Sequence, residues 1–229
     1  MNKEVITVDV VSDVACPWCY VGKRNLEAAL KSWNGAPVEI QWHPFQLDPS
    51  IPEEGLDGHV YLANKFGSSE RIKGMTDRLT QIGKNAGIDF DFEAEWLAVN
   101  TLPMHLLLHA AQSEGFQTQL KERFFKAYFE DRLPMNDDSV LEGIMAEFDW
   151  SADKVAEVLN DDDLAYAVKN EISYYQQKGV SGVPFFIINN KYGINGAQPS
   201  DVFLEVFETV SQPTEIISGD SCDPETGEC

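Results

Sequence analysis

The sequence predicts an α/β protein in which a mixed central sheet is assembled from both ends of the chain around a large all-helical insertion. Alternating apolar residues predict strands at 5–11 and 38–42, and helical spacing predicts a helix over 17–33 between them. From 57 to 178 the apolar spacing is helical almost throughout. Strand character returns at Pro184, so the two halves of the sheet lie far apart in the chain.

Proline, glycine and capping residues set the individual elements. They predict helices in the middle segment at 62–85, 101–113, 117–131, 139–147, 151–159 and 164–178. Asn189 and Asn190 predict a two-residue hairpin turn, because asparagine tolerates positive φ, and the return strand is expected at 191–194. A last helix is expected after Pro199.

These elements divide the chain into four parts. We expect a first part of the sheet domain at 1–50, the helical insertion at 51–178, the second part of the sheet domain at 179–211, and an acidic tail at 212–229. With 229 residues and 43% hydrophobic content, the chain can bury a substantial core.

The formal net charge of −21 argues against nucleic acid and anionic membranes as partners, since both need compensating Lys and Arg. The opening residues lead directly into strand alternation, with no signal-peptide pattern and no apolar stretch long enough to span a membrane. We therefore expect a cytoplasmic protein.

The motif Cys16-Pro17-Trp18-Cys19 stands between the first predicted strand and the first predicted helix. Pro17 suits the first helical position, which places Cys16 at the cap, where unpaired N–H groups lower the pKa of a thiol. Cys16 is therefore the expected nucleophile. Cys19 follows about one helical turn later and is positioned to attack a mixed disulfide formed on Cys16.

Two other interpretations of this motif are half of a zinc site and a pair of structural thiols. A four-thiolate site would have to join the first helix to Cys222 and Cys229 at the end of the chain, and a helix-initiating proline does not suit a zinc knuckle. His105 and His109 have the spacing of a two-histidine metal site but lack a visible third ligand. We expect no metal.

A glycine-rich loop at 179–184 ends in Val183-Pro184, at the start of an apolar strand. This pattern permits a cis X-Pro bond and leaves the Val183 backbone free to pair with an extended peptide. Val183, Pro184 and Trp18 are therefore the candidate substrate-binding residues.

Asp13 precedes Cys16 by three residues, and its carboxylate could relay the proton of a nearby thiol. The alternative is a turn residue whose side chain caps the local backbone, which is common for aspartate at the end of a strand. Both roles remain open from the sequence.

Together these motifs resemble the FrnE branch of the DsbA-like thioredoxin superfamily. The resemblance rests on segments spread in order over nearly the whole chain: 13–23 around the paired cysteines, 44–47 (PFQL), 181–186 (SGVPFF) and 195–199 (NGAQP). It implies a thioredoxin fold with an inserted helical domain, Cys16 as nucleophile, Cys19 as resolving thiol and a cis proline at Pro184 facing them.

The tail carries Cys222 and Cys229, separated by turn-forming residues that would let the two thiols meet. The resemblance implies a second cysteine pair near the C-terminus in many relatives. This pair could be a shuttle dithiol that exchanges with Cys16 and Cys19, a regulatory pair, or two incidental cysteines.

We therefore expect a thiol-disulfide oxidoreductase that acts on protein or peptide disulfides as a reductase, isomerase or oxidase. No bound cofactor is expected, although glutathione could serve as a redox co-substrate. Related 2-hydroxychromene-2-carboxylate isomerases and kappa-class glutathione transferases usually have serine in place of Cys16. They define the alternative, a glutathione-dependent isomerase or transferase of a small aromatic compound. A redox-regulated, chaperone-like binding module is the third interpretation.

Overall fold

The computed structural model describes residues 4–212 of the chain. In this range it has six strands and nine helices. The strands are β1 (Ile6–Ser12), β2 (Val38–Pro44), β3 (Leu56–Asp57), β4 (Leu97–Ala98), β5 (Phe185–Ile188) and β6 (Tyr192–Asn195). The helices are α1 (Pro17–Ser32), α2 (Gly58–Phe66), α3 (Ser69–Asn85), α4 (Leu102–Ser113), α5 (Gln117–Phe129), α6 (Asp138–Ala146), α7 (Ala152–Leu159), α8 (Asp162–Gln177) and α9 (Ser200–Ser211).

The main sheet has the strand order β2-β1-β5-β6. β1 runs parallel to β2, as expected for strands joined by a helical crossover, and antiparallel to β5. β5 and β6 form the predicted hairpin, with Asn189 and Asn190 at φ values of 50° and 54° in its turn. The predicted thioredoxin fold with a mixed sheet and a helical insertion is thus confirmed.

Two cores meet near the start of α1. One core lies between the sheet and the helices α1 and α9, where Phe186 and Phe203 meet edge to face with ring centroids 4.8 Å apart. The other core belongs to the inserted helices and includes Phe124 and Phe125 of α5. Cys16 and Cys19 lie in this second core, at the seam between the sheet and the insertion.

Two features of the insertion differ from the prediction. The single helix expected over 62–85 is two helices, because Gly67 adopts a φ of +92° and Ser68 then caps α3 by accepting the Arg71 N–H. The insertion is also not wholly helical, since β3 and β4 pair as a short antiparallel ribbon. Two-residue strands carry too little alternation to be recognised in a sequence.

The predicted pair Cys222 and Cys229 lies outside the described residues. Within residues 4–212, none of the helices is long and apolar enough to cross a membrane.

Candidate active site

The dithiol lies at the N-terminus of α1. Cys16 is the N-cap residue, with extended backbone angles, and Pro17 opens the helix as predicted. Both Cys16 and Cys19 are free thiols. The Cys16 thiol donates to the carbonyl oxygen of Val183 at 3.4 Å, across 167 positions of sequence. The Val183–Pro184 peptide bond is cis, so the structure brings the dithiol and the predicted substrate loop together.

A cavity of about 340 Å³ opens beside Cys16. Trp18 and Val183 line it with Cys16, and Asp13 contributes to the same wall. Cys16 is only 3% exposed and Cys19 only 1%, so Cys16 is accessible chiefly from this cavity. Apart from Ala15 and Pro17 beside the dithiol, the remaining wall comes from the segment 47–51, α2, α3, the segment 92–101, the end of α5 and Arg132.

The surroundings of Cys16 oppose the thiolate that the sequence predicts. Burial raises the pKa of the Cys16 thiol well above its ordinary value, and the adjacent Cys19 and the Asp13 carboxylate raise it further. The Cys19 N–H at the start of α1 lowers the pKa, but it does not outweigh burial. The reduced protein therefore holds Cys16 as a protonated thiol that hydrogen-bonds to Val183.

Asp13 is fully buried, and its contacts fill the capping role considered from the sequence. Its Oδ2 accepts the Leu47 N–H at 2.7 Å and its Oδ1 accepts the Ala15 N–H at 3.3 Å, which fixes the turn before Cys16. Burial alone raises the pKa of Asp13, but His105, the Leu47 N–H and the charge of Lys121 outweigh it and lower the pKa. Asp13 is therefore an ionised carboxylate at neutral pH.

Lys121 is the residue that the sequence analysis missed. It lies on α5, 1% exposed, with its ammonium 5.0 Å from the Phe125 ring centroid and 5.7 Å from that of Trp42. No carboxylate lies within ion-pair distance of it among the described residues. Burial lowers the pKa of Lys121 from 10.5 to about 8, and the nearby Cys19, Asp13 and Cys16 raise it in part. Its position between Leu120 and Phe124, on an apolar helical stripe, was the available signal.

Residues 7–208 match the family of the DSBA-like thioredoxin domain. The chain belongs to this family. The DsbA-like chain is 31% identical to a probable DsbA oxidoreductase of Streptomyces coelicolor, SCO1869, whose crystal structure superposes with a TM-score of 0.82 over 96% of this chain and 97% of the other. The Bacillus subtilis (strain 168) protein YwbO is 27% identical over 203 residues, which cover 86% of this chain and 94% of YwbO.

A more distant similarity shows the fold alone. The structure of the cytosolic disulfide reductase DsbM from Pseudomonas aeruginosa with GSH is 18% identical in sequence, with a TM-score of 0.62 over 89% of this chain and 99% of DsbM. Family membership and the paired thiols place the DsbA-like chain among the thiol-disulfide oxidoreductases.

The histidines have partners that the sequence did not indicate. His43 lies between Glu171 Oε1, 2.6 Å from its Nδ1, and Asp9 Oδ1, 2.9 Å from its Nε2. His105 Nε2 is 3.4 Å from Asp13 Oδ1, whereas His109 Nδ1 is 3.5 Å from Glu171 Oε2. The two helix-spaced histidines thus face different carboxylates. Within residues 4–212, no group of three or more potential ligands is arranged to hold a metal ion.

Proposed function

We propose that the protein is a thiol-disulfide oxidoreductase in which Cys16 attacks a substrate disulfide and Cys19 resolves the mixed disulfide. The main support is the arrangement of the two free thiols at the start of α1, with Cys16 3.4 Å from the Val183 carbonyl oxygen and at the wall of a cavity. A structural pair of thiols would not need an adjacent cavity.

Each half-reaction exchanges one sulfur–sulfur bond for another. Cys16 loses its proton and attacks one sulfur of the substrate disulfide, forming the Cys16–substrate bond and releasing the first substrate thiolate. Cys19 then loses its proton and attacks the Cys16 sulfur, which forms the Cys16–Cys19 disulfide and releases the second thiolate. The two protons leave with the two product thiols. Run in reverse, the same steps oxidise a dithiol.

The protein groups supply charge stabilisation during these steps. The Cys19 N–H and the buried Lys121 ammonium both favour the thiolate, whereas burial and the Asp13 carboxylate oppose it. Because Lys121 titrates at about 8, it is also a candidate proton acceptor for Cys19. Asp13 remains the alternative relay, as the sequence suggested.

The finer assignments follow the sequence. We propose that the protein is of the FrnE type, that it acts in the cytoplasm, and that it reduces or isomerises peptide or protein disulfides with glutathione or another thiol as electron donor. Trp18 carries no charge, so we expect a couple less oxidising than one with a cationic residue at that position. Equilibration with glutathione gives the reduction potential and hence the direction of electron flow.

Insulin reduction by the wild type, Cys16→Ser and Cys19→Ser tests the proposal. Exchange requires both thiols, so we expect each variant to lose turnover, with Cys19→Ser trapping a mixed disulfide on Cys16 that mass spectrometry detects. Full turnover by Cys19→Ser with glutathione and an aromatic substrate would instead favour the glutathione-dependent isomerase or transferase. Client holding that survives loss of both thiols would favour a chaperone-like module.

A further inference from the structure

We infer that the cavity beside Cys16 receives a small, largely apolar molecule bearing a carboxylate, and that Arg132 recognises that carboxylate. This inference rests on the proposed exchange at Cys16 and adds a second substrate class, low-molecular-mass disulfides of hydrophobic acids, to the peptide and protein disulfides proposed above. No part of it depends on the tail cysteines.

The size of the site favours a small molecule. About 340 Å³ lies near the lower end of the range of roughly 300–1,000 Å³ typical of small-molecule sites. The two helices α2 and α3 contribute to the wall, and Cys16 is 3% exposed. A compact molecule inside the cavity would lie against the Cys16 sulfur.

The wall favours an aromatic or aliphatic body. Seven of the lining residues are aromatic, which provides ring faces and edges for a flat apolar ligand: Trp18, Tyr61, Phe66, Phe92, Trp96, Tyr128 and Phe129. At the mouth, Leu47 and Met75 are exposed although both are apolar. An exposed apolar rim that leads into an apolar cavity is typical of a binding site.

Four charged side chains line the cavity, and three of them already have partners. Asp13 accepts the backbone N–H groups of Leu47 and Ala15. Asp48 accepts from the Tyr61 hydroxyl at 3.1 Å and lies 3.6 Å from the Lys65 ammonium, so these two charges compensate one another. The fourth is Arg132.

Arg132 has no such ion pair, and the Asp91 carboxylate acts on its charge only at longer range. Its Nη1 donates to the Tyr128 carbonyl oxygen at 3.3 Å, but Nε and Nη2 have no acceptor among the described residues, and no carboxylate of residues 4–212 lies within ion-pair distance. The guanidinium carbon is 5.4 Å from the Phe92 ring centroid and 5.5 Å from that of Trp96. The indole N–H of Trp96 likewise has no acceptor within this part of the chain.

These unpaired donors point to a carboxylate. A buried N–H without an acceptor is unfavourable, so three such donors around one cavity call for an acceptor. The guanidinium fork suits a carboxylate in particular. Arg132 also adopts a φ of +52°, a conformation that a non-glycine residue keeps only where its surroundings hold it. Because Nε and Nη2 are closed to solvent, anion binding requires a small rotation of the guanidinium or of the Trp96 ring.

A matched pair of disulfides tests the inference. Dithiobis(nitrobenzoate) carries an aromatic carboxylate on each half, whereas dithiodipyridine is neutral. Stopped-flow absorbance follows the release of each chromophoric thiol by the reduced protein, and the ratio of the two rate constants cancels changes in Cys16 reactivity. The variants are Arg132→Gln, Arg132→Lys and, as a control of equal charge change on α5, Arg123→Gln, which is paired with Glu147 and Asp131.

We expect Arg132→Gln to lower the ratio by about tenfold to a hundredfold, the effect of losing one charge-assisted hydrogen-bonded pair, with Arg123→Gln unchanged. Arg132→Lys keeps the positive charge but not the guanidinium fork, so its ratio of rate constants should lie between those of Arg132→Gln and Arg123→Gln. This variant still tests the inference if Arg132→Gln does not fold. An equal effect of Arg132→Gln and Arg123→Gln, or none, overturns the inference.

Calorimetry separates this inference from the proposed function. Naphthoate and naphthamide are titrated into Cys16→Ser, which cannot perform exchange. The inference is supported if naphthoate binds to Cys16→Ser, naphthamide does not bind comparably, and the added substitution Arg132→Gln abolishes naphthoate binding. This result would support an anion site in the cavity even if no thiol release is observed. Equal binding of both compounds, or of neither, overturns it even if exchange at Cys16 is established.

Discussion

Replacing Lys121 by methionine should stabilise this protein while impairing its chemistry. The side chain is buried beside the dithiol without a carboxylate partner in the described part of the chain, and a methionine of similar length would fill the same space. The substitution removes a buried charge. It also removes the ammonium that favours the Cys16 thiolate.

The magnitude follows from the pKa. A fall in the pKa of Lys121 from 10.5 to about 8 corresponds, at 1.36 kcal/mol per pKa unit, to about 3 kcal/mol of cost for holding the charged form in the folded state. Between pH 8 and 10.5 the unfolded chain binds more protons at this lysine than the folded chain. The stability of the wild type should therefore rise with pH across this window, and the full cost applies below it.

Urea unfolding of the disulfide form from pH 7 to pH 10 measures this effect without titrating thiols. We expect Lys121→Met to be more stable than the wild type at pH 7, by up to about 3 kcal/mol, and to lack the alkaline rise. The control is Lys126→Met, the same change at an exposed position of α5. A less stable Lys121→Met at pH 7, or parallel pH profiles for both proteins, would refute this reasoning.

Two other substitutions test single charges. The Asp13 carboxylate raises the pKa of Cys16. Asp13→Asn should therefore shift the appearance of the thiolate's ultraviolet absorbance to lower pH. An unchanged titration would show that Asp13 has no part in proton transfer at Cys16. Burial raises the pKa of Glu171, but His109 and His43 outweigh burial and lower the pKa to about 2. The ionised Glu171 therefore stabilises the folded state above pH 4.5. This stabilisation is lost as the pH falls toward 2. Glu171→Gln should therefore reduce stability at pH 6 by up to about 3 kcal/mol and flatten the acid limb of urea unfolding, whereas Glu157→Gln, at an exposed position, should do neither.

Local patterns were sufficient for the elements and for the two thiols. Pro17 sets the start of α1 and hence the cap position of Cys16, and the two asparagines at 189 and 190 set the β5–β6 turn. These features depend on a few adjacent residues, through backbone geometry and side-chain spacing, so the sequence predicts them directly. The helix break at Gly67 was missed because a single glycine within a helical pattern does not always end it.

The electrostatic state of the site depended on tertiary structure alone. Whether Cys16 is ionised is decided by how deeply α5 and the inserted helices bury it, and by Asp13, Cys19 and Lys121, which the fold gathers from three different elements. The same packing leaves Nε and Nη2 of Arg132 without an acceptor among the described residues. A sequence motif identifies the reacting sulfur. Its proton affinity depends on desolvation and Coulomb interactions, which act through space, so the packed structure alone determines that affinity and which molecules can reach the sulfur.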